Sequence, residues 1–168
     1  MDVADGAALQ VELAIYDRAT MTLQPVHDGD PADLVFPPQG GHVMFVGGRI
    51  RNGRETTVQL DGRLLSLDGA TLYGQNARTV ELLPAGEDTL IPDLRSYTNV
   101  SNIAVCPNNA RIDFFGNSYL LELRVTELAS RRSGTARNRV VLACRQKDAK
   151  AQALCQCQCA ASYLFGKC

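Results

Sequence analysis

The residues with the most chemical potential are six cysteines, Cys106, Cys144, Cys155, Cys157, Cys159 and Cys168, four of them in the last fourteen positions. Two chemistries suit them. Oxidised, they form disulfides, the usual fate of dense cysteines in exported domains. Reduced, Cys155-x-Cys157-x-Cys159 with Cys168 presents four thiolates to a soft ion, zinc or copper. Structural zinc sites space paired ligands by two to four residues, so the one-residue gaps fit zinc poorly. The same gaps disfavour bridges between nearest neighbours. Disulfides are the expectation. A Cys106–Cys144 bridge is preferred, because Cys144 lies on the inward parity of a strand and Cys106 ends another just before a turn. It would close a loop of about 38 residues, worth roughly 4 kcal/mol in the chain-entropy model. The other four cysteines would then pair within the tail, in a connectivity that spacing alone does not choose.

Three further groups have chemical interest. Asp28, Asp30 and Asp33 crowd near His27. Carboxylates gathered in one loop suit a hard cation such as calcium. The loop lacks the Gly and distal Glu of an EF-hand, and a solvated loop with a helix cap explains the same residues. His42 opens a strand and reads as a surface or edge residue. Arg131, Arg132, Arg137 and Arg139 gather with Arg124 and Arg145 about the last hairpin, a patch for an anionic polymer or acidic partner. The same charges also serve to keep a hairpin edge from aggregating.

No catalytic motif stands out. Gly116-Asn117-Ser118-Tyr119 has the Ser of a nucleophile elbow but lacks its second Gly, and the Ser precedes a strand rather than joining strand to helix. There is no Walker loop, dinucleotide fingerprint or zincin helix. The expectation is a protein that is not an enzyme and carries no cofactor.

These side chains must be held by strands. In Leu9-Gln10-Val11-Glu12-Leu13-Ala14-Ile15 the odd positions are large and apolar, the period of a strand with one buried face. His42 to Arg51 is apolar at both parities, as in a central strand, and Gly47-Gly48 marks a bulge or a close backbone approach. Asn52-Gly53 signals a hairpin into Thr56 to Leu67. Asp61-Gly62 reads as a bulge, and Asp68-Gly69 as a true turn. Residues 84–102 form a long connection with at most a short strand or helical turn. Tyr119, Leu121, Leu123 and Val125 share one face of a strand, and Val140, Leu142 and Cys144 one face of the next. Asp30-Pro31-Ala32-Asp33 can open a single helical turn. Lys147 to Leu154, rich in Ala, Gln and Lys, predicts a short helix before the tail.

About seven strands at short spacing indicate an all-β sandwich or barrel. With 168 residues the chain suits one domain. Such a domain buries about 70% of its unfolded surface and can fold without its cysteines. Charge is balanced, 17 basic against 18 acidic residues, and Trp is absent. That argues against nucleic acid, which selects a basic excess, and against a polybasic hold on anionic lipid. No apolar run reaches the roughly 18 residues needed to span a bilayer. MDVADGAALQ has no basic n-region and no apolar h-region. The cysteines and this start agree if a leader has been removed.

Gly116-Asn-Ser-Tyr119-Leu-Leu-Glu-Leu-Arg-Val125, followed by a polar loop and Val140-Val-Leu-Ala-Cys144, resembles the closing strand pair of immunoglobulin-like sandwiches. Gly40-Gly41-His-Val-Met-Phe-Val-Gly-Gly-Arg-Ile-Arg-Asn52 looks like their front strand. The ending Cys155-Gln-Cys-Gln-Cys-Ala-Ala-Ser-Tyr-Leu-Phe-Gly-Lys-Cys168 is similar to the tails of uncharacterised bacterial lipoproteins with such a domain. The resemblance implies a secreted or cell-envelope location and no assigned activity. Membrane attachment would come only through an N-terminal lipid anchor outside this chain. The expectation is an immunoglobulin-like β-sandwich over residues 9–145, with a cystine-rich extension over 146–168 packed on it. Its expected role is a non-catalytic binding or structural module for a protein or glycan, with recognition by the loops 27–41, 84–102 and 130–136. The alternative is a thiolate metal-binding envelope protein that uses the tail cysteines.

Overall fold

A computed structural model describes residues 8–168. Ten strands and one helix follow in order: β1 (Gln10–Asp17), β2 (Thr22–Pro25), β3 (Asp30–Asp33), β4 (His42–Arg51), β5 (Thr57–Leu65), β6 (Leu72–Pro84), β7 (Thr89–Pro92), β8 (Ser101–Cys106), β9 (Ser118–Glu127), β10 (Ser133–Ala143) and α1 (Ala149–Gln158). The fold is an all-β sandwich with a short helical, disulfide-rich C-terminal extension, the class the periodicity indicates.

One layer runs β2-β1-β4, with β8 and β7 sharing the far edge of β4. The other runs β3-β10-β9-β5-β6. The last residues of β6 pair with β7, so β6 links the two layers. Between them lies the main core. Leu13, Met44, Ile50 and Ile103 come from the first layer, and Leu60, Leu64, Leu121, Leu123 and Val140 from the second. Each such side chain contributes about 1.5–3 kcal/mol on burial. The alternation in β9 and β10 falls as its parity requires. Leu121, Leu123, Val125, Val140 and Leu142 are all fully buried.

β4 is buried at every position except Arg49 and Arg51 because it is covered on both faces. Its outer face packs Val43 and Phe45 with Ala14, Tyr16, Leu23 and Val100, under a lid made by Ile91, Leu94 and Tyr97. Hence the 84–102 connection is more than a link. It contains β7 and one 3-10 turn (Tyr97–Asn99), and it closes a second, smaller core. Gly47-Gly48 is a close approach and not a bulge. A Cβ on Gly48 would lie 2.8 Å from Glu12 O and from Leu123 Cδ2.

Four local expectations change. β2, β3 and β7, four residues each, take the strand number from about seven to ten. Asp30–Asp33 is a strand and not a helical turn. It pairs in parallel with β10 as an edge strand, where Pro31 is tolerated because its missing N–H faces outward. Asn52-Gly53 is not a hairpin turn, since β4 and β5 belong to opposite layers. Asn52 does take the positive φ (59°) that such a turn uses. The chain then crosses between layers, held by the buried Glu127 carboxylate, which accepts from Arg54 N at 2.6 Å and Glu55 N at 3.3 Å. Asp61-Gly62 lies inside an unbroken β5, whose one register shift falls at Leu64/Leu65. Asp68-Gly69 is a turn, with Gly69 at φ 72°.

Candidate functional site

The helix organises the cysteines. Asp148 caps its N-terminus by accepting from Ala151 N at 2.9 Å, and Ala149 to Leu154 are mostly strong helix formers. The helix does not stop at Leu154 as the composition suggests; it continues through Cys155 and Cys157 to Gln158. That continuation fixes the pairing. At about 100° per residue, Cys155 and Cys157 point roughly 200° apart, while Cys155 and Cys159 lie only about 40° apart on one face. That shared face turns inward, leaving Cys155 and Cys159 at 0% and 1% exposure.

Three disulfides result: Cys106–Cys159, Cys144–Cys155 and Cys157–Cys168. The Cys106–Cys144 bridge preferred from the sequence does not form. Cys106 ends β8 in one layer and Cys144 follows β10 in the other. The helix lies over that end and offers one inward sulfur to each. Only Cys157–Cys168 closes within the tail. Two of the three bridges therefore staple the extension to the sandwich, one to each layer.

His42 sits inside this staple. It is 1% exposed, not a surface residue, because α1 and Phe36 cover the start of β4. Its Nδ1 lies 2.9 Å from Gln158 Oε1, and its buried Nε2 has no partner. It is the register partner of Cys106 across β4 and β8. One ring nitrogen of His42 and the sulfurs of Cys155 and Cys159 all lie within 4.8 Å of one another. Among the described residues, this is the group of histidine, cysteine and carboxylate ligand atoms placed closely enough to surround one ion. Burial disfavours the charged ring and lowers the His42 pKa below its ordinary 6.5, against the opposing hydrogen bond to Gln158. The unfolded chain then binds the proton more readily than the folded one. The stabilising contribution is intact above about 6.5 and is lost as pH falls from there towards the lower folded-state value. The expected result is a thermal midpoint that declines on acidification from pH 7.5 to 5.5, and a shallower decline in His42→Leu, read by calorimetry on the oxidised protein.

The acidic trio does not converge. Asp28 accepts from Arg139 N and pairs with Arg139 Nη2, Asp30 holds His27, and Asp33 takes Arg145 at 2.6 Å. Each carboxylate is committed to its own partner. Asp30 is held below the usual carboxylate range by the His27 backbone N–H, then by the His27 ring.

Three of the four arginines proposed as a patch are likewise in ion pairs. Arg132 pairs with Glu127, Arg137 with Glu122 and Arg139 with Asp28. Arg131 is exposed at the tip of the β9–β10 hairpin, at positive φ (62°), beside Arg63 and Arg124 on the outer face of β5 and β9. Glu127 and Glu122, at 0% and 6% exposure, are the buried acids that sequence reasoning missed. For Glu127 a signal existed, since it shares the inward parity of Leu123 and Val125. Nothing in the chain order pointed to Gln158 as the partner of His42.

A concavity of about 540 Å³ opens between β1, β3 and the segment after β10. Its floor is apolar, with Ile15, Tyr16, Val35 and Phe45, and its rim carries both charges, with Asp17, Arg18, Asp33, Arg145 and Lys147. This size and lining fit the roughly 300–1,000 Å³ of ordinary ligand clefts.

The molecule is thus an all-β sandwich closed at one end by a disulfide-stapled helix. No family model, curated protein or solved structure matches the chain.

Proposed function

We propose that this chain is a non-catalytic binding or structural module of a secreted or cell-envelope protein, with a protein or glycan as ligand. The observation that carries the reading is the complete pairing of its six cysteines into three bridges, with no free thiol left. Such bridges persist in oxidising compartments and are reduced in a mesophilic cytosol. No helix among the described residues is long and apolar enough to cross a membrane. Recognition falls to the cleft beside β3, whose lining includes Pro31, Asp33 and Val35 of the 27–41 segment. The apolar floor supplies contact area, and the mixed-charge rim supplies orientation.

Location and ligand are tested separately. Thiols are trapped by alkylation before lysis of cells carrying the natural gene. The protein should then appear in the medium or envelope fraction with no added alkyl groups. A cytosolic, fully alkylated chain contradicts the reading. Arrays of glycans and extracellular proteins then test the cleft. Ala19 lines it and is exposed. A ligand whose binding is lost in Ala19→Trp, at unchanged thermal midpoint, supports the cleft. Binding indifferent to Ala19→Trp, or turnover of an arrayed ligand, contradicts it.

A further inference from the structure

The stapled end of the sandwich places a buried imidazole beside the sulfurs of two cystines. Cys106 faces His42 across the β4–β8 pair and is bonded to Cys159. Cys144 is bonded to Cys155, and both Cys155 and Cys159 bring their sulfurs within 4.8 Å of a His42 ring nitrogen. Burying a polar nitrogen without a partner is costly, so packing alone would favour an apolar residue at position 42. Yet Nε2 is buried and unpartnered, while Nδ1 is held by Gln158. One nitrogen held by an outer partner and the other left open is the arrangement of a metal-binding histidine.

We propose that reduction of Cys106–Cys159 and Cys144–Cys155 converts this end into a zinc site, with His42, Cys155 and Cys159 as ligands and Cys106 or Cys144 as the fourth. Each disulfide takes two electrons and two protons from a dithiol, which becomes a disulfide itself, and two thiols result. Coordinated thiols then release their protons as zinc binds. The geometry is close to what a tetrahedral ion requires. Zinc–sulfur bonds near 2.3 Å and zinc–nitrogen bonds near 2.0 Å set ligand atoms about 3.5–3.8 Å apart. Small rotamer changes cover the difference once the S–S bonds are open.

The spacing objection from the sequence also falls. The pair that counts is Cys155 and Cys159, with three residues between them and one helical turn along the same face, within the usual gap for zinc ligands. Cys157 points away to Cys168 and takes no part. The inference concerns the reduced chain, so its failure leaves the oxidised binding module untouched.

The test uses the full chain reduced with a dithiol and desalted without oxygen. Zinc ion is titrated against a chromogenic chelator, and cobalt ion serves as the spectroscopic probe. The expected result is one zinc per reduced chain and none per oxidised chain, with a tetrahedral, thiolate-bound cobalt spectrum. His42→Leu should weaken binding by at least the roughly tenfold that follows loss of even an outer partner of a ligand. Cys157→Ser with Cys168→Ser should bind as the parent does. Circular dichroism accompanies each titration. The proposal is overturned if the folded, reduced chain binds no zinc, or if it unfolds on reduction and zinc does not restore it. It is equally overturned if His42→Leu binds like the parent, or if loss of Cys157 and Cys168 abolishes binding.

Discussion

Replacing Cys106 and Cys159 together by alanine is expected to lower the unfolding free energy by about 4 kcal/mol. The bridge spans 53 residues, the longest loop closed in the chain. In the chain-entropy model, opening a loop of that length returns the most freedom to the unfolded state. Cys144–Cys155 and Cys157–Cys168 each span 11 residues, and each pair should cost about 3 kcal/mol or less. The variant should still fold. The main core lies between the two layers and draws most of its side chains from strands of both, with the helix adding only Cys155 and Cys159. Urea unfolding in both backgrounds measures the difference. A loss under about 1 kcal/mol for the 106/159 pair would show that the staple does not constrain the chain.

Glu127→Ala is expected to cost a further 3 kcal/mol or so, within the roughly 3–5 kcal/mol seen when one member of a buried ion pair is removed. Its side chain is 0% exposed. Oε1 accepts from Arg54 N and Glu55 N at the crossover between layers, while Oε2 accepts from Ser130 Oγ at 2.8 Å and Arg132 Nη1 at 3.2 Å. One carboxylate therefore holds both the interlayer crossover and the β9–β10 turn. Truncation strands several donors at once. Glu127→Gln keeps one carbonyl oxygen and should lose less. Glu81→Ala is the control, since its carboxylate accepts from Thr57 Oγ1 at an exposed site. Substitutions at exposed sites of this kind usually change stability by about 0.5 kcal/mol or less. Thermal midpoints of the three variants rank them. An equal effect at positions 81 and 127 would remove Glu127 from its proposed role.

The strands were legible where one face alone is buried. β9 and β10 show clean alternation, and parity named their inward residues, Cys144 included. β4 was legible as a central strand, although the lid that covers its outer face lies in a segment with few strand signals. The short strands β2, β3 and β7 were not legible. Four residues with Pro at or near an end carry too little period to separate strand from turn, and only pairing with longer neighbours makes them strands. Asn52-Gly53 misled because its positive φ is real while its partner strand lies in the other layer. Local backbone chemistry encodes the bend and not the sheet that receives it.

The site was half legible. That the six cysteines pair was readable from their density. Which ones pair was not, because the answer depends on helix length. Cys-x-Cys-x-Cys reads as a strand-like or looped cluster until the helix is known to run to Gln158. It then resolves into two inward sulfurs and one outward. His42 was misplaced for the same reason. It opens a strand, and only the helix packed across that end, bringing Gln158 and two cystines, buries it.

Peptide mapping under non-reducing, acidic conditions tests the stapled architecture most directly. The expected map contains three cross-linked species, joining Cys106 to Cys159, Cys144 to Cys155 and Cys157 to Cys168. A peptide pair joining Cys106 to Cys144, or alkylatable thiols at those positions in untreated native protein, would contradict it.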